Sequence, residues 1–409
     1  LTHKVAVLPF TNLSGHAEDQ FIVEGFCEQL SSDLALFREI SMISYFSTAK
    51  YRLEHSDIRL VGKELNASML VTGSIYHDKK HLRVSVQLVS TETGIQLWAK
   101  TYQRDVGSSY IYDVIDSVIK QIISKLTGYT GVIIKSIATA TQFEALKHRD
   151  FLDPISYYYY YQLRYTEDIF QLTRQQLEKT TRKNPELALP WAMLAQLYVD
   201  GCAFGYLSVQ NPLHEGMRCA QRSLQLDPEC QQGYMSLAWA CIHLHDKQAA
   251  LAAINNGLSL NPSVSNFAGA ASFMLALLGE YEESIRYYEQ SKQLEGGSPW
   301  WVNVGPILIH FYHGDYCSAL QVANQVNIPG VFWNRFFKIA ALGHLASSTN
   351  EAAELANQFQ AEFAGQAEIG CVVLKKLLAD QEIYNRIEAG LVKAGISIHN
   401  IHVIGQKAS

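Results

Sequence analysis

The 409-residue sequence predicts two fold classes in one chain, an α/β amino-terminal domain with a mixed sheet and an all-α solenoid of repeated helical hairpins. Strand-like and helix-like stretches alternate through the first part, which is typical of α/β layers. Beyond residue 153 an apolar pattern recurs, and Pro228 and Pro262 mark a period of 34 residues, which is typical of helix-turn-helix solenoids. The predicted organisation is an α/β domain at 1–128, a linker at 129–153, repeats at 154–366, and capping helices with a tail at 367–409.

The α/β domain is predicted from the spacing of its apolar residues. Residues 82–88 alternate between apolar and polar, as a half-buried strand does, whereas the apolar side chains of 18–37 recur at helical spacing. The predicted elements are strands at 4–10, 40–46, 69–76, 82–88 and 96–102, and helices at 18–37, 58–65 and 110–126. Their order, β-α-β-α-β-β-β-α, indicates helices packed on a mixed sheet.

The solenoid is predicted as six repeats. In the segments that begin at 188 and 231, an aromatic residue is followed three residues later by an aliphatic one and then by alanine. The first three repeats close on Asn-Pro or Asp-Pro, and the first interval of 43 residues contains a nine-residue insertion around 200–211. The predicted repeats lie at 154–187, 188–230, 231–264, 265–298, 300–332 and 333–366, with inter-helix turns at Gly279 and Gly314 and a linker helix near 141–147.

Composition and net charge make some classes of function less favoured for this chain. A net charge of −6 gives no electrostatic footprint for nucleic acid, so direct nucleic-acid binding is not predicted. No apolar run of the sequence reaches the roughly 18 residues that cross a bilayer. Seven cysteines without a Cys-x-x-Cys motif favour a reducing compartment, so the predicted location is the cytoplasm. The chain starts at Leu1 without a methionine, so we expect a preceding segment.

The sequence predicts no catalytic residue, no metal site and no cofactor. It contains no Walker phosphate loop, Gly-x-Ser-x-Gly elbow or His-Glu-x-x-His zinc helix. His243 and His245 point apart on a helix, and His310 and His313 share a helix face without a third ligand nearby. We therefore expect that the chain by itself is not an enzyme.

Five stretches of the first domain carry a resemblance to a known family. They are residues 5–15, 21–26, 70–75, 87–89 and 91–99. In order and spacing they resemble the TolB-like amino-terminal domain of modular bacterial signalling proteins, with His16 where that family usually has Asp. The resemblance implies that tetratricopeptide repeats follow the domain, and residues 388–396 are similar to the usual ending of such proteins. It also implies an output unit ahead of the domain, either a class III adenylate cyclase or a CadC-like winged-helix transcription regulator.

The first helix of each predicted repeat would line the concave wall that such solenoids use to hold partners. The residues predicted to face inward are Tyr158, Gln162, Tyr165, Gln196, Gln232, Met235, Trp239, Phe273, Trp301, Val304, Leu308 and Phe311. Because they are mostly aromatic and uncharged, they favour an apolar helix or extended segment of a protein or peptide partner. A tight superhelix, or an amino-terminal domain that folds back, would instead bury them, and the sequence leaves this alternative open.

The predicted function is a non-catalytic sensory and protein-interaction region of a bacterial signal-transduction or transcription-regulatory protein. One alternative is the regulatory part of an adenylate cyclase whose catalytic domain lies upstream. Another is the periplasmic sensor half of a CadC-like membrane-bound regulator, which would move the predicted location to the periplasm. The sequence does not identify the upstream unit, the partner or the oligomeric state.

Overall fold

The chain divides into two compact units. A computed structural model describes residues 3–16, 19–51, 57–78, 80–107, 110–128, 131–139, 154–206, 210–261, 265–293, 299–325, 331–345 and 349–398. The α/β unit comprises Leu1–Tyr159, Ser263–Ser265 and Leu294–Gly297, and the helical unit comprises Tyr160–Pro262, Asn266–Gln293 and Ser298–Ser409. The α/β part and the helical part that the sequence predicts are therefore both present.

The α/β unit is built on a mixed sheet. Its elements are β1 His3–Val7, β2 Thr11–Asn12, α1 Gln20–Leu34, β3 Ile40–Ile43, α2 Tyr45–Thr48, α3 Ile58–Leu65, β4 Met69–His77, β5 His81–Ser90, β6 Gln96–Asp105, α4 Ile111–Leu126 and α5 Val132–Thr139. The strand order is β3-β1-β4-β5-β6 among the described residues, and β2 pairs with β4. β1 lies parallel to β3 and β4, whereas β4, β5 and β6 form antiparallel ladders.

The core of this unit is formed by apolar side chains that alternate along the strands and recur along one face of the helices. On β5, Leu82, Val84 and Val86 are buried, while the intervening Arg83 is exposed. On α1 the buried residues recur at helical spacing, and α1 packs against both β1 and α4. The two periodicities in the sequence therefore place apolar side chains between one helical layer and the sheet.

Three predictions for this unit need correction. The strand predicted at 4–10 ends at Val7, and the separate short strand β2 follows at Thr11–Asn12. Leu8 still donates to the Val71 carbonyl oxygen at 2.9 Å, but Pro9 has no N–H to continue the ladder. The strand predicted at 40–46 ends at Ile43, and the short helix α2 follows it. The predicted linker contains helix α5, and the helix expected near 141–147 lies outside the described residues.

The residues from 154 onward, most of which belong to the helical unit, form paired helices. The elements are α6 Pro154–Arg164, α7 Glu167–Lys183, α8 Ala188–Phe204, α9 Pro212–Leu226, α10 Gln231–His243, α11 Lys247–Leu260, α12 Ser265–Leu277, α13 Tyr281–Gln293, a 3-10 turn Trp300–Asn303, α14 Val304–His313, α15 Tyr316–Asn324, α16 Phe332–Leu342, α17 Thr349–Glu362, α18 Gln366–Leu377 and α19 Gln381–Lys393. Taken two at a time from α6, the described helices form seven pairs, which we number one to seven.

Two predicted turns separate the helices of pairs four and five. Gly279 and Gly314 adopt φ values of 81° and 71°, a region that favours glycine because it has no Cβ. Asp315 then caps α15 by accepting from the Ser318 amide at 3.1 Å. The nine-residue insertion predicted around 200–211 lengthens the end of pair two's first helix, so that α8 extends to Phe204.

The seventh pair packs against pair six, its neighbour in sequence, and also against pairs two, three and five. Helix α18 contacts α8 and α10, and α19 contacts α14 and α16. Between α18 and α19, the Ala379 amide donates to the Leu277 carbonyl oxygen at the end of α12, at 2.9 Å. The Arg386 guanidinium donates to the Phe311 carbonyl oxygen at the end of α14, also at 2.9 Å. The predicted capping pair therefore runs along the ends of several first helices.

Close backbone packing fixes the contact between α19 and pair six. A Cβ built on Gly390 would lie 2.0 Å from the Ala340 carbonyl oxygen, and one on Gly343 would lie 1.9 Å from the Gly390 oxygen. Only glycine allows this approach. The His344 ring adds a hydrogen bond from Nε2 to the Arg386 carbonyl oxygen at 2.7 Å. In the part of the chain that the structure describes, no helix combines the length and apolar character needed to cross a membrane.

Candidate functional site

Most side chains of the predicted partner wall are buried in the structure. Buried members are Tyr158, Gln162, Tyr165, Gln232, Met235, Trp239, Val304, Leu308 and Phe311, and partly exposed members are Gln196, Phe273 and Trp301. The buried side chains are packed within the chain itself, which is the alternative that the sequence left open. Partner contact through the predicted residues stays a prediction, and Gln196, Phe273 and Trp301 are the members that are partly exposed.

Three aromatic rings form a row along the helical unit. The ring centroids of Trp239 and Phe273 are 5.4 Å apart, and those of Phe273 and Trp301 are 6.2 Å apart. Trp239 and Phe273 lie on the first helices of pairs three and four, and Trp301 lies in the 3-10 turn ahead of pair five, so each successive pair adds one ring. Because Phe273 and Trp301 are partly exposed, this end of the row presents an apolar surface with aromatic faces.

One end of the aromatic row is tied to the first pair. The Trp301 indole N–H donates to the Tyr165 hydroxyl at 3.1 Å, although the two residues are 136 positions apart. The Tyr165 ring also lies edge-on to Trp300, with centroids 5.7 Å apart, and 5.6 Å from the Phe204 ring. Tyr165 adopts a φ of 51°, which is costly for a bulky residue. The contacts of its ring hold it in that conformation.

A buried carboxyl lies at the other end of the row. Asp200 on α8 accepts a hydrogen bond from the Trp239 indole N–H through Oδ1, at 3.1 Å. Its Oδ2 is buried and has no hydrogen-bond partner among the described residues. Burial raises the pKa of the Asp200 carboxyl to about 7, and hydrogen bonds from neighbouring side chains oppose this shift. This carboxyl therefore changes its charge near neutral pH.

Two buried polar atoms of helix α6 have no hydrogen-bond partner within normal distance among the described residues. They are the Tyr161 hydroxyl and Gln162 Nε2, and Gln162 Oε1 accepts from the Tyr165 hydroxyl. Tyr161 and Asp200 influence each other electrostatically, since burial and the nearby carboxyl both raise the Tyr161 pKa. We call Tyr161, Gln162, Tyr165, Asp200 and Trp239 the interior cluster.

Side-chain hydrogen bonds connect pairs two and three beside the interior cluster. Gln232 Nε2 donates to Gln196 Oε1 at 2.7 Å, and Ser236 Oγ donates to the Ala192 carbonyl oxygen at 2.9 Å. These bonds link α8 to α10 and fix their relative register.

Within the described residues, no group of three His, Cys, Asp or Glu side chains is arranged to hold a metal ion.

Sequence reasoning missed four residues that build this interior. They are Asp200, Phe204, Tyr206 and Trp300. Phe204 and Tyr206 stack with centroids 5.6 Å apart, and the Tyr206 hydroxyl donates to the Tyr165 carbonyl oxygen at 2.8 Å. Three of the four lie in the nine-residue insertion. A break in an otherwise regular period was the only signal in the sequence that pointed to them.

The chain is similar to a distant relative among known proteins. The chain is 27% identical over 244 residues to putative adenylate cyclase 3 of Rhizobium meliloti (strain 1021), a match that covers 58% of this chain and 40% of the relative. The chain thus matches less than half the length of that protein. No protein-family model matches the chain, so the TolB-like and tetratricopeptide resemblances stay predictions.

Two solved structures are similar over part of the chain. The PelC dodecamer from Paraburkholderia phytofirmans is 17% identical with a TM-score of 0.23, over 29% of this chain and 83% of that one. Lipoprotein GNA1162 from Neisseria meningitidis is 13% identical with a TM-score of 0.23, over 30% of this chain and 99% of that one. Both TM-scores are too low to carry an argument about this chain.

Proposed function

We propose that this chain is the non-catalytic regulatory region of a bacterial signalling protein that also contains an adenylate cyclase catalytic domain. The observation that carries the proposal is the match to 40% of a protein named as a putative adenylate cyclase. More than half of that relative lies outside the match, which leaves room for a separate catalytic domain. The name of the relative favours a cyclase over a CadC-like transcription regulator as the attached output unit.

The architecture supports a regulatory role. A mixed sheet followed by paired helices is the arrangement that the TolB-like and tetratricopeptide resemblances imply. In this proposal the helical unit binds a protein or peptide partner, and binding changes the activity of the attached domain. Such coupling requires that the partner bind two states of the protein with different affinities.

The partner surface in this proposal is the exposed end of the aromatic row. Phe273 and Trp301 are the aromatic members of the predicted wall that stay partly exposed, and Gln196 is the partly exposed polar member. Aromatic side chains commonly contribute most of the affinity at such surfaces. An apolar peptide segment that covers these two rings would remove them from water without disturbing the buried interior cluster.

A chimera tests the regulatory role. The matched region of the Rhizobium meliloti protein would be replaced by this chain, and cyclic AMP would be measured in a bacterial strain that lacks its own cyclase. We expect the chimera to resemble the native relative and to differ at least about twofold from the relative without the region, since a coupling of 1 kcal/mol already changes an equilibrium about fivefold. Equal rates in all three proteins would overturn the regulatory role.

The isolated chain provides a second test. Purified chain incubated with ATP and Mg²⁺ or Mn²⁺ is expected to produce no cyclic AMP. Measurable turnover that increases with the concentration of the chain would show that it contains a catalytic site, and the proposal would then be wrong.

Substitution of Phe273 tests the partner surface. Phe273→Ala should reduce capture of a partner from lysate at least fivefold, because a hot-spot aromatic contributes 1 kcal/mol or more. Trp191→Ala is the matched control, since Trp191 is a partly exposed aromatic of the same unit outside the row. Equal capture by the wild type and Phe273→Ala, with unchanged circular dichroism, would exclude this surface.

A further inference from the structure

A groove in the α/β unit lies outside every site described above. It encloses about 650 Å³ between α1 on one side and the end of β3 with α2 on the other. Its lining residues fall into three groups. The floor is Pro9, Phe10, Val23, Ser31 and Met42, the α1 rim is Gln20, Glu24, Glu28, Ser32 and Ala35, and the opposite rim is Ser44, Tyr45, Phe46 and Ala49.

The walls of the groove are held in place by buried contacts. The Phe10 amide donates to Cys27 Sγ at 3.4 Å, and the Phe10 ring lies 5.4 Å from the Phe26 ring of α1. On the other side the buried Thr48 hydroxyl donates to the Val7 carbonyl oxygen at 2.6 Å, which ties α2 to β1. The groove therefore has a fixed shape, which lowers the entropy cost of binding.

The charges of the lining residues all have one sign. Glu24 and Glu28 are exposed and lie one turn apart on α1, about 6 Å along the helix axis. Among the fourteen lining residues none is Lys, Arg or His. Beyond the carboxylates the α1 rim continues with the small residues Ser32 and Ala35, which allow a close approach. A cationic occupant is therefore favoured over a neutral or acidic one.

The opposite rim presents a large exposed aromatic ring. Phe46 is 89% exposed although it follows strand β3 by only three residues. A single exposed aromatic is common on protein surfaces, but this one borders an apolar floor. Removal of a Phe side chain from water is favourable, so an occupant that covers Phe46 gains affinity at this rim.

We propose that this groove binds an amphipathic helix of a partner protein. The apolar stripe of that helix would face the floor and Phe46, and Lys or Arg side chains one turn apart would pair with Glu24 and Glu28. The two carboxylates have the i, i+4 spacing that a second helix lying along α1 can match. A second copy of this chain is disfavoured as the occupant, because the groove carboxylates would face a molecule with a net charge of −6.

A peptide selection on the full chain tests the proposal. A phage library of helical peptides would be selected on the wild type, and the strongest synthetic peptide would be titrated by fluorescence polarisation. We expect selected sequences with an apolar stripe and Lys or Arg at i and i+4. Affinity should fall at least tenfold in the Glu24→Lys, Glu28→Lys double variant and about tenfold in Phe46→Ala.

A matched variant separates site charge from total charge. The Glu92→Lys, Asp116→Lys double variant reverses the same number of exposed carboxylates on the same unit, and its affinity should change less than twofold. Enrichment of neutral or acidic peptides, the absence of enriched peptides, or equal affinity for both double variants would each overturn the proposal. So would a dimer in sedimentation that Phe46→Ala abolishes, because the groove would then hold a second copy. Unchanged circular dichroism confirms that each variant is folded.

Discussion

Asp200→Asn should change how the stability of the helical unit depends on pH. Burial raises the pKa of Asp200 to about 7 from an ordinary value of 3.8. One pKa unit corresponds to about 1.4 kcal/mol, so this difference corresponds to about 4 kcal/mol of unfolding free energy. Asparagine carries no titrating proton, but its Oδ1 can still accept the hydrogen bond from Trp239.

The sign of the effect follows from which state holds the proton more tightly. Between about pH 4 and pH 7 the folded Asp200 stays protonated while the unfolded one ionises. The contribution of Asp200 to the free energy of unfolding of the wild type therefore falls as pH rises through this window and levels off above about pH 7. The variant lacks this fall. Near pH 4 the two proteins should be close in stability, and above pH 7 the variant should be more stable by up to about 4 kcal/mol.

The measurement is urea unfolding followed by tryptophan fluorescence between pH 4 and pH 8.5. Five of the six tryptophans lie beyond residue 160, so the signal reports mainly on the helical unit. Glu186→Gln, which removes an exposed carboxyl of the same unit, is the control and should keep the pH dependence of the wild type. If the curves of wild type and Asp200→Asn run parallel over the whole range, the buried carboxyl does not titrate as the structure indicates, and the reasoning fails.

Three further substitutions have expected outcomes. Arg386→Ala removes hydrogen bonds from a charged donor to the carbonyl oxygens at the end of α14, so the urea midpoint should fall by the equivalent of about 2 kcal/mol, and an unchanged midpoint would contradict this contact. Gly390→Ala places a Cβ 2.0 Å from the Ala340 oxygen and should lower the melting temperature by several degrees. Gly25→Ala is the control, because its Cβ meets nothing within 4 Å, and it should be neutral or slightly stabilising. Equal effects of the two substitutions would refute the close approach of Gly390 to Ala340. Burial lowers the pKa of His243 to about 3, so the contribution of this histidine to stability should be lost as pH drops below about 6.5, opposite in sign to that of Asp200. A His243→Gln protein whose stability depends on pH as that of the wild type does would exclude this histidine as a titrating group.

The positions of the helices were largely predictable because local chemistry sets them. Glycine allows the positive φ at Gly279 and Gly314, and proline follows helix ends at Pro185 and Pro228, so the helix bounds lie close to those expected. Helix α2 was not predictable, since Tyr45 and the residue after it continue the apolar run of a strand. A helix of four residues leaves no periodic signal to oppose that interpretation.

The interior of the helical unit was much harder to predict. Helical periodicity shows which face of a helix is apolar, but it does not show whether a partner or the same chain covers that face. The hydrogen bond between Trp301 and Tyr165 joins residues 136 positions apart and has no counterpart in the local sequence. Asp200 was equally hidden, because a carboxylate in an insertion is usually exposed to solvent.

The placement of the seventh helix pair constrains how such a protein can evolve. An open stack of helical hairpins can gain or lose an internal hairpin with little loss of stability, since each hairpin contacts only its neighbours. Here α18 reaches α8 and α10 while α19 reaches α14 and α16, so the terminal hairpin spans a set distance along the array. Duplication of one hairpin between these anchor points would move one group of contacts out of reach of the other. The length of the seventh hairpin therefore limits the number of hairpins between its contacts. We expect related proteins to differ in this region by loop insertions rather than by extra hairpins.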